Sequence, residues 1–408
     1  MRPSPFRIIT ILLLLPLAAC GSNPTADAPQ ARLASAHGSA AQAPVRFSSS
    51  PRLTSGPYAG RGDVERFIDR MQAKGYTRAE LVGIFSRVRP DDWIIEYMNR
   101  QWRPSPGPNG AWTRYRARHI TPAMLSRGTA FWSQHAAELE RASRKYGVPP
   151  EYIVAIIGIE TKWGGYMGKH RIIDALATLA FDYPRRAEYF TDELENYLVM
   201  ARQEGFDPFQ PVGSFAGAMG YGQFMPSSYL KYAVDFDGNG RRDLWDKEDA
   251  IGSVAHYFQQ HGWRSGEPVT VQATGGAGLP ESMDVGFKSR YRVRDLTARG
   301  VRPSLALPDD KQVSLLRLDA AGGYEYWIGL DNFQTITKYN RSTYYAMTVH
   351  QLAQALKAPA RRQRALCGGA RRPGGTGPRR LTTSPARLTP ARRTRVTAGS
   401  GLRSCPAP

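Results

Sequence analysis

Between residues 21 and 366 the chain has no cysteine. The three it does have, Cys20, Cys367 and Cys405, lie toward the two ends, so neither a disulfide framework nor a cysteine-ligated metal holds the middle together. Residues 358–408 lack Lys, Asp, Glu, Phe, Tyr, Trp, Ile, Asn and Met, which excludes a packed core there. That stretch carries twelve Arg, and residues 1–19 carry Arg2 and Arg7 without any acid; removing both ends lowers the formal charge from +20 to +6. The part able to fold is only mildly basic, and nucleic-acid binding, which would rest on the Arg tail alone, is not expected. What is present argues for a globular protein. A chain of 408 residues accommodates two or three domains, and 41% apolar residues with 11% aromatics exclude a wholly disordered one.

The N-terminus begins with Arg2 and Arg7 before an apolar run, Ile8 to Leu17, too short to span a bilayer comfortably. It closes on Leu17-Ala18-Ala19-Cys20, similar to a bacterial lipoprotein signal (1–19) in which Cys20 becomes the acylated first residue; the alternative is an ordinary secretory peptide cleaved nearby. Gly21 rather than Asp after the cysteine implies the outer membrane, so the expected location is lipid-anchored on its periplasmic face, with several acyl chains making the anchor stable. Residues 20–60, rich in Ala, Ser, Pro and Gly, read as a flexible tether. Residues 358–408 read as disordered, either a basic tail for anionic polymer or lipid, or translation of a GC-rich region in a shifted frame.

Between the ends the pattern is mainly α, of the α+β kind. Residues 62–143 form a helical flanking region, with helices predicted over Val64 to Ala73, Arg78 to Val88 and one long segment from about Thr121 to Lys145, and a Pro-rich break from Arg103 to Asn109. Residues 144–265 continue as helices. From 266 to 337 the period changes to two: Pro268 to Gln272, Tyr291 to Arg294, Val313 to Leu318 and Tyr324 to Leu330 read as strands, the last two joined at Ala320-Ala-Gly-Gly in a hairpin. A last helix, about Ser342 to Lys357, returns to the core (338–357). No internal repeat is visible.

Two segments carry chemistry. After Pro149-Pro150, Ile153, Ile157, Glu160 and Gly164 share one helical stripe. Glu160 therefore points where burial is expected, and desolvation raises a carboxyl pKa, giving the protonated form needed to donate a proton near neutral pH. Gly164 and Gly165 would leave room for a ligand. The competing reading is a buried Glu paired with Arg or Lys. In the second segment, 214–229, Gly217, Gly220 and Gly222 allow close backbone approach, while Ser214 and Gln223 beside aromatics suit an uncharged sugar; a tight interhelical turn is equally open.

A third segment, Asp235 to Asp246, fits a twelve-residue helix–loop–helix cation loop: Asp235, Asp237, Asn239 and Asp246 offer oxygens at positions one, three, five and twelve, Gly240 gives the turn at six, and Arg241 offers its carbonyl at seven. Asp243 at nine could act through water. Asp246 stands where Glu is usual, implying a weaker site. With no partner loop visible, one structural Ca2+ is expected rather than a sensor.

Taken together, ETKWG at 160–164, GAMGYGQFMPSSY at 217–229, the cation loop and YNRSTYYA at 339–346 resemble the membrane-bound lytic murein transglycosylases of the B type, over about 62–357. The resemblance implies a lysozyme-like helical core (144–265) with a helical flanking domain and a small β insertion. It implies cleavage of the β-1,4 bond between N-acetylmuramic acid and N-acetylglucosamine in peptidoglycan glycan strands, with Glu160 the sole acid and base. It places Ser214, Gln223, Tyr339, Asn340, Ser342 and Tyr345 in the substrate groove, with Tyr115 and Tyr257 as further groove tyrosines. A monomer is expected. The alternatives are a hydrolytic muramidase and a non-catalytic peptidoglycan-binding lipoprotein.

Overall fold

The computed structural model describes residues 52–100, 108–276, 278–279 and 282–368. The signal segment, Cys20, most of the tether, residues 103–107 of the Pro-rich break, and 369–408 lie outside the described residues. Two units meet at Leu356/Lys357. In the second, the described residues continue a helix to Gly368, so 358–368 is helical rather than disordered. Extending an existing helix needs no new nucleus, and Ala, Arg, Gln and Leu favour it. The tether also ends earlier than expected, because Leu53 and Tyr58 are buried; the Tyr58 hydroxyl donates to Asp182 at 2.9 Å and its ring meets Phe181 edge-on.

Three short helices open the first unit: α1 (Gly62–Gln72), α2 (Arg78–Phe85) and α3 (Asp92–Asn99). α1 buries Val64, Phe67, Ile68 and Met71, the i, i+3, i+4, i+7 stripe of an amphipathic helix. α2 starts with a capping box between Thr77 and Glu80, and α3 with Asp91 accepting from the Trp93 N–H. Next come α4 (Ala111–His119), α5 (Pro122–Gln134) and α6 (Ala136–Tyr146). The single helix predicted over Thr121 to Lys145 is in fact α5 and α6, divided at His135, whose φ of −118° and ψ of 32° leave the helical basin.

The centre is α7 (Pro150–Thr161), buried without interruption from Glu151 to Gly158 and surrounded by other elements as an all-round apolar helix must be. The chain then runs through β1 (His170–Arg171), α8 (Ile172–Asp182), a 3-10 turn at Pro184–Arg186, α9 (Ala187–Glu204), β2 (Val212–Gly213), α10 (Pro226–Tyr232) and α11 (Lys247–Gln260). β1 and β2 pair antiparallel, His170 opposite Gly213, which lays the segment after α7 beside the segment leading to Ser214.

The small sheet contains β3 (Thr270–Thr274), β4 (Tyr291–Arg292), β5 (Arg302–Pro303), β6 (Gln312–Ala320) and β7 (Gly323–Gly329), all antiparallel in the order β4-β6-β7-β3-β5. The predicted hairpin is present, with Ala320 opposite Gly323. The strand predicted from Tyr291 pairs for two residues only and passes into the short helix α12 (Val293–Thr297). Val293 and Leu296, spaced three apart, both enter the sheet's core beside Leu315 and Ile328, so helical spacing prevails over the local alternation. The sheet ends earlier than 337, because α13 (Asp331–Tyr339) starts directly after β7; α14 (Thr343–Gly368) follows.

One clamp fixes how the hairpin holds the helical part. Asp319 at the end of β6 accepts from the N–H groups of Asn109 and Gly110 at 2.7 and 2.9 Å, and Thr113 accepts from the Ala321 N–H at 2.9 Å. These bonds hold the start of α4 on the turn. Asp319→Ala leaves two N–H groups without their ionised acceptor and should lower unfolding free energy by about 2 kcal/mol. Urea denaturation of both proteins measures it; equal midpoints would remove the clamp from the account.

Candidate active site

Glu160 occupies the last turn of α7 and lines a cleft with Ser214, Gln223, Tyr339 and Asn340. It is the one carboxylate among the described residues lining that cleft, and it has no ion pair among them, so the reading of a Glu neutralised by Arg or Lys does not hold. Partial solvent contact remains on the cleft side, yet packing around the carboxyl is dense. Desolvation pushes its pKa up to about 7, tempered by a hydrogen bond that the Tyr345 hydroxyl donates to Oε1 at 2.5 Å. Burial, followed by the Glu160 charge, pushes Tyr345 and Tyr339 far above the ordinary tyrosine value. Both phenols therefore stay protonated as donors.

Directly after α7 the backbone turns left-handed at three successive residues: Lys162 (φ 53°), Trp163 (φ 56°) and Gly164 (φ 83°). Among the described residues, only Lys162, Trp163 and Gln223 (φ 51°) are non-glycine with positive φ. Such strain persists where surroundings over-determine it, commonly at functional sites. Here the surroundings are the Trp163 indole, folded back over its own helix with Nε1 donating to the Val154 carbonyl at 3.0 Å. A Cβ on Gly158 would lie 2.3 Å from that ring, so only glycine admits it. Gly164 does not leave room for a ligand as expected: a Cβ there would lie 2.5 Å from the Tyr221 ring, and the space belongs to the protein.

The opposite wall comes from the glycine-rich segment. Ser214 Oγ accepts from the Ala216 and Ala218 N–H groups at 3.3 and 2.9 Å, which leaves its own proton to donate elsewhere. Gln223 commits its Nε2 to the carbonyls of Gly220 (3.0 Å) and Met167 (3.3 Å), so its side-chain oxygen remains as an acceptor. The Tyr339 hydroxyl donates to the Gly222 carbonyl at 2.5 Å, tying α13 to this segment. The Tyr115 hydroxyl is buried and has no hydrogen-bond partner; burial and the nearby Glu160 charge raise its pKa. Tyr115 is near enough to sense the Glu160 charge but is not among the described residues that line the cleft.

Two expected groove residues sit behind the cleft instead. Tyr257 donates to the Lys338 carbonyl at 2.8 Å and packs edge-on against Tyr339; its hydroxyl is used and its ring braces a groove tyrosine. Ser342 Oγ accepts from the Tyr345 N–H at 3.3 Å, capping the start of α14 and aiming Tyr345. The cleft also contains Met98 from α3, Phe215, and Arg186, Tyr189 and Phe190 at the start of α9, with Arg186 over the Tyr189 ring at 4.4 Å. No spacing in the chain marks these residues, which reach the site through helix packing.

In the acidic loop the structure brings together Asp235, Asp237 and Asp249, with ligand oxygens within 4.8 Å of one another. Asp246, expected to close the loop, instead caps α11 by accepting from the Glu248 and Asp249 N–H groups. Its place is taken by Asp249, fully buried one turn later, whose carboxylate accepts from Phe236, Asp237 and Asp243 N–H groups. Burial raises the Asp249 pKa, with the Asp237 charge adding to it. Asn239 lies within the loop, Oδ1 accepting from the Arg241 N–H and Nδ2 donating to Asp237. A buried carboxylate facing two others is costly without a cation, and hard oxygen donors suit Ca2+.

The Transglycosylase SLT domain family model matches residues 60–354. The chain belongs to that family. Membrane-bound lytic murein transglycosylase B of Escherichia coli (strain K12) is 50% identical over 358 residues, 86% of this chain and 97% of that protein. The E. coli lytic transglycosylase Slt35, solved in complex with calcium, superposes with a TM-score of 0.71 at 54% identity, covering 75% of this chain and 96% of that one. SltB3 from Pseudomonas aeruginosa, solved with NAG-anhNAM-pentapeptide, gives 0.63 at 32% identity over 72% and 78%. The SLT chain described here has the lysozyme-like, mostly helical fold of these relatives and is a lytic transglycosylase of peptidoglycan.

The acidic loop of this SLT protein separates two residues by test. Calcium added to chelated protein should raise Tm, and Asp249→Asn should remove most of that increment. Asp246→Ala should keep the increment while costing about 1 kcal/mol at the helix cap. Thermal melts with and without calcium decide, and an increment lost in Asp246→Ala but kept in Asp249→Asn reverses the assignment.

Proposed function

We propose that Glu160 acts alone, first as acid and then as base, on the β-1,4 bond between N-acetylmuramic acid and N-acetylglucosamine. Protonated Glu160 gives its proton to the glycosidic oxygen as the C1–O bond breaks, releasing the N-acetylglucosamine side as an alcohol. The cation developing at C1 is stabilised by the muramic acid acetamide or by surrounding dipoles. The Glu160 carboxylate then takes the proton of the C6 hydroxyl of the same sugar, whose oxygen bonds to C1. The product is a 1,6-anhydromuramoyl end, and no water is consumed.

The observation that carries this reading is the absence of a second carboxylate among the described cleft residues. Glycosidases of the usual kind place two across the bond, about 5–10 Å apart. A pKa near 7 suits both halves of the cycle, since proton donor and acceptor forms are then populated together near neutrality. Ser214 as donor, Gln223 as acceptor and Asn340 beside them would orient the acetamide and hydroxyls, and Tyr345 would steady the carboxylate between steps.

The same reading includes one structural Ca2+ held by Asp235, Asp237 and Asp249, with Asn239 and the Arg241 carbonyl completing the loop. It includes a monomer attached by acylated Cys20 to the periplasmic face of the outer membrane; support comes from the Leu17-to-Cys20 pattern and the membrane-bound relative. Among the described residues no helix is long and apolar enough to cross a membrane.

Digestion of purified sacculi followed by product mass tests the chemistry: anhydro ends are expected, one water lighter than the reducing ends of a hydrolytic muramidase. Glu160→Gln should reduce turnover at least a thousandfold with glycan binding retained. The pH profile has a defined sign. The acid step needs the protonated carboxyl, present below about 7 and lost as pH rises through that value. Tyr345→Phe removes the hydrogen bond that favours the charged form, so the alkaline limb should move to higher pH. A limb that stays in place or moves down in Tyr345→Phe contradicts the coupling.

A further inference from the structure

A second cavity, of about 490 Å³, lies between α4, the hairpin strand β7 and α14, and contains none of the catalytic cleft residues. Two tryptophans line it: Trp112, almost wholly buried, and Trp327, half-buried. Two opposite charges line it as well. Arg116 uses Nε to donate to the Gln351 side chain, which holds the guanidinium in place, and among the described residues it has no ion pair. Among the described residues Glu325 has no ion pair either, and its hydrogen bond is a long 3.5 Å contact from the Trp327 indole N–H. The floor adds amides and imidazole on α14: Gln354 Nε2 donates to the Tyr152 hydroxyl at 3.2 Å, and His350 Nδ1 meets the same oxygen at 2.9 Å.

An unpaired guanidinium and an unpaired carboxylate in one aromatic-walled cavity match a ligand with a carboxylate and an ammonium on a short scaffold, flanked by amides. Arg binds carboxylates bidentately, and the half-buried Trp327 indole offers an apolar face to the aliphatic part, with Trp112, packed against Tyr115 and Tyr344, backing the wall. We propose that this cavity is an exosite for the zwitterionic end of a peptidoglycan stem peptide, where a diamino acid presents a free ammonium and carboxylate. The proposal rests on the peptidoglycan reading of the catalytic cleft and adds to it a second point of attachment. Trp112 stacks on Tyr115, ring centroids 6.4 Å apart, and Tyr152 belongs to α7, whose last turn carries Glu160, so the exosite and the acid share rigid elements.

Binding is tested in full-length Glu160→Gln protein by calorimetry with the stem tripeptide N-acetyl-L-Ala-γ-D-Glu-meso-diaminopimelate, whose one free amine is that of the diamino acid, the same peptide acetylated on that amine as well, and free meso-diaminopimelate. Arg116→Ala and Glu325→Gln should each weaken tripeptide binding at least fivefold. Acetylation should weaken binding to the Glu325 side-chain carboxylate but make little further difference in Glu325→Gln. Free meso-diaminopimelate binding as tightly as the tripeptide would assign the cavity to a free amino acid and overturn the stem assignment. Tripeptide binding indifferent to both substitutions, or none at millimolar concentration, overturns the exosite. A second measurement uses the active enzyme: the ratio of turnover on sacculi to turnover on glycan strands stripped of stems should fall at least threefold in Arg116→Ala and Glu325→Gln, with turnover on stripped strands unchanged. An unchanged ratio counts against the exosite. Because the calorimetry needs no turnover, failure of the catalytic reading and failure of the exosite give different results.

Discussion

The balance between desolvation of the Glu160 carboxyl and the single hydrogen bond from Tyr345 organises this protein. Burial alone would hold the acid neutral; the phenol, 2.5 Å away and itself unable to ionise, brings the charged form back within reach. Much of the architecture serves to keep these two groups apposed. α7 is buried on all sides so that its last turn is fixed, Ser342 caps α14 so that Tyr345 points inward, and Tyr257 backs Tyr339 on the third side. Each is a local choice with its own driving force, and the hydrogen-bonded Glu160–Tyr345 pair is where they converge.

The backbone around the acid is the least relaxed in the described structure. Three left-handed residues follow α7, and a further non-glycine one, Gln223, lies in the segment that lines the cleft. Holding a non-glycine residue in that basin costs of the order of 1–3 kcal/mol, offset here by the Trp163 indole seated on Gly158 and bonded to the Val154 carbonyl. The strain thus has a specific counterweight, and the turn redirects the chain toward β1, which pairs with the strand that delivers Ser214.

Glu160 is legible through ETKWG together with the glycine-rich segment; α7 is apolar on all sides, so the stripe of Ile153 and Ile157 alone leaves a structural buried Glu open. The hairpin is legible from two β-rich runs, Val313 to Leu318 and Tyr324 to Leu330, on either side of the Ala320-Ala-Gly-Gly turn, although the adjacent Leu315 and Leu316 interrupt the alternation. Asp249 was not: it lies one helical turn beyond the twelve-residue pattern, and only the fold of the chain around Phe236 brings its carboxylate to Asp235 and Asp237. Met98, Arg186 and Tyr189 were hidden likewise, since nothing in their spacing separates a cleft-facing side chain from one on an ordinary helix face. Tyr257 and Ser342 show the converse error: the segments were rightly singled out, but one hydroxyl is spent on a backbone carbonyl and the other on a helix end. At Gly164 the room expected for a ligand is filled by the Tyr221 ring, a neighbour that local sequence does not reveal.

Helix α11 bears Asp249 in its first turn and Tyr257 eight residues further on, a span of roughly 12 Å along one rod. The carboxylate faces the acidic loop and the phenol supports the tyrosine lining the cleft. One rod thereby joins the acidic cluster to the cleft wall, so a shift at the loop end would be carried along the helix to the ring that backs Tyr339.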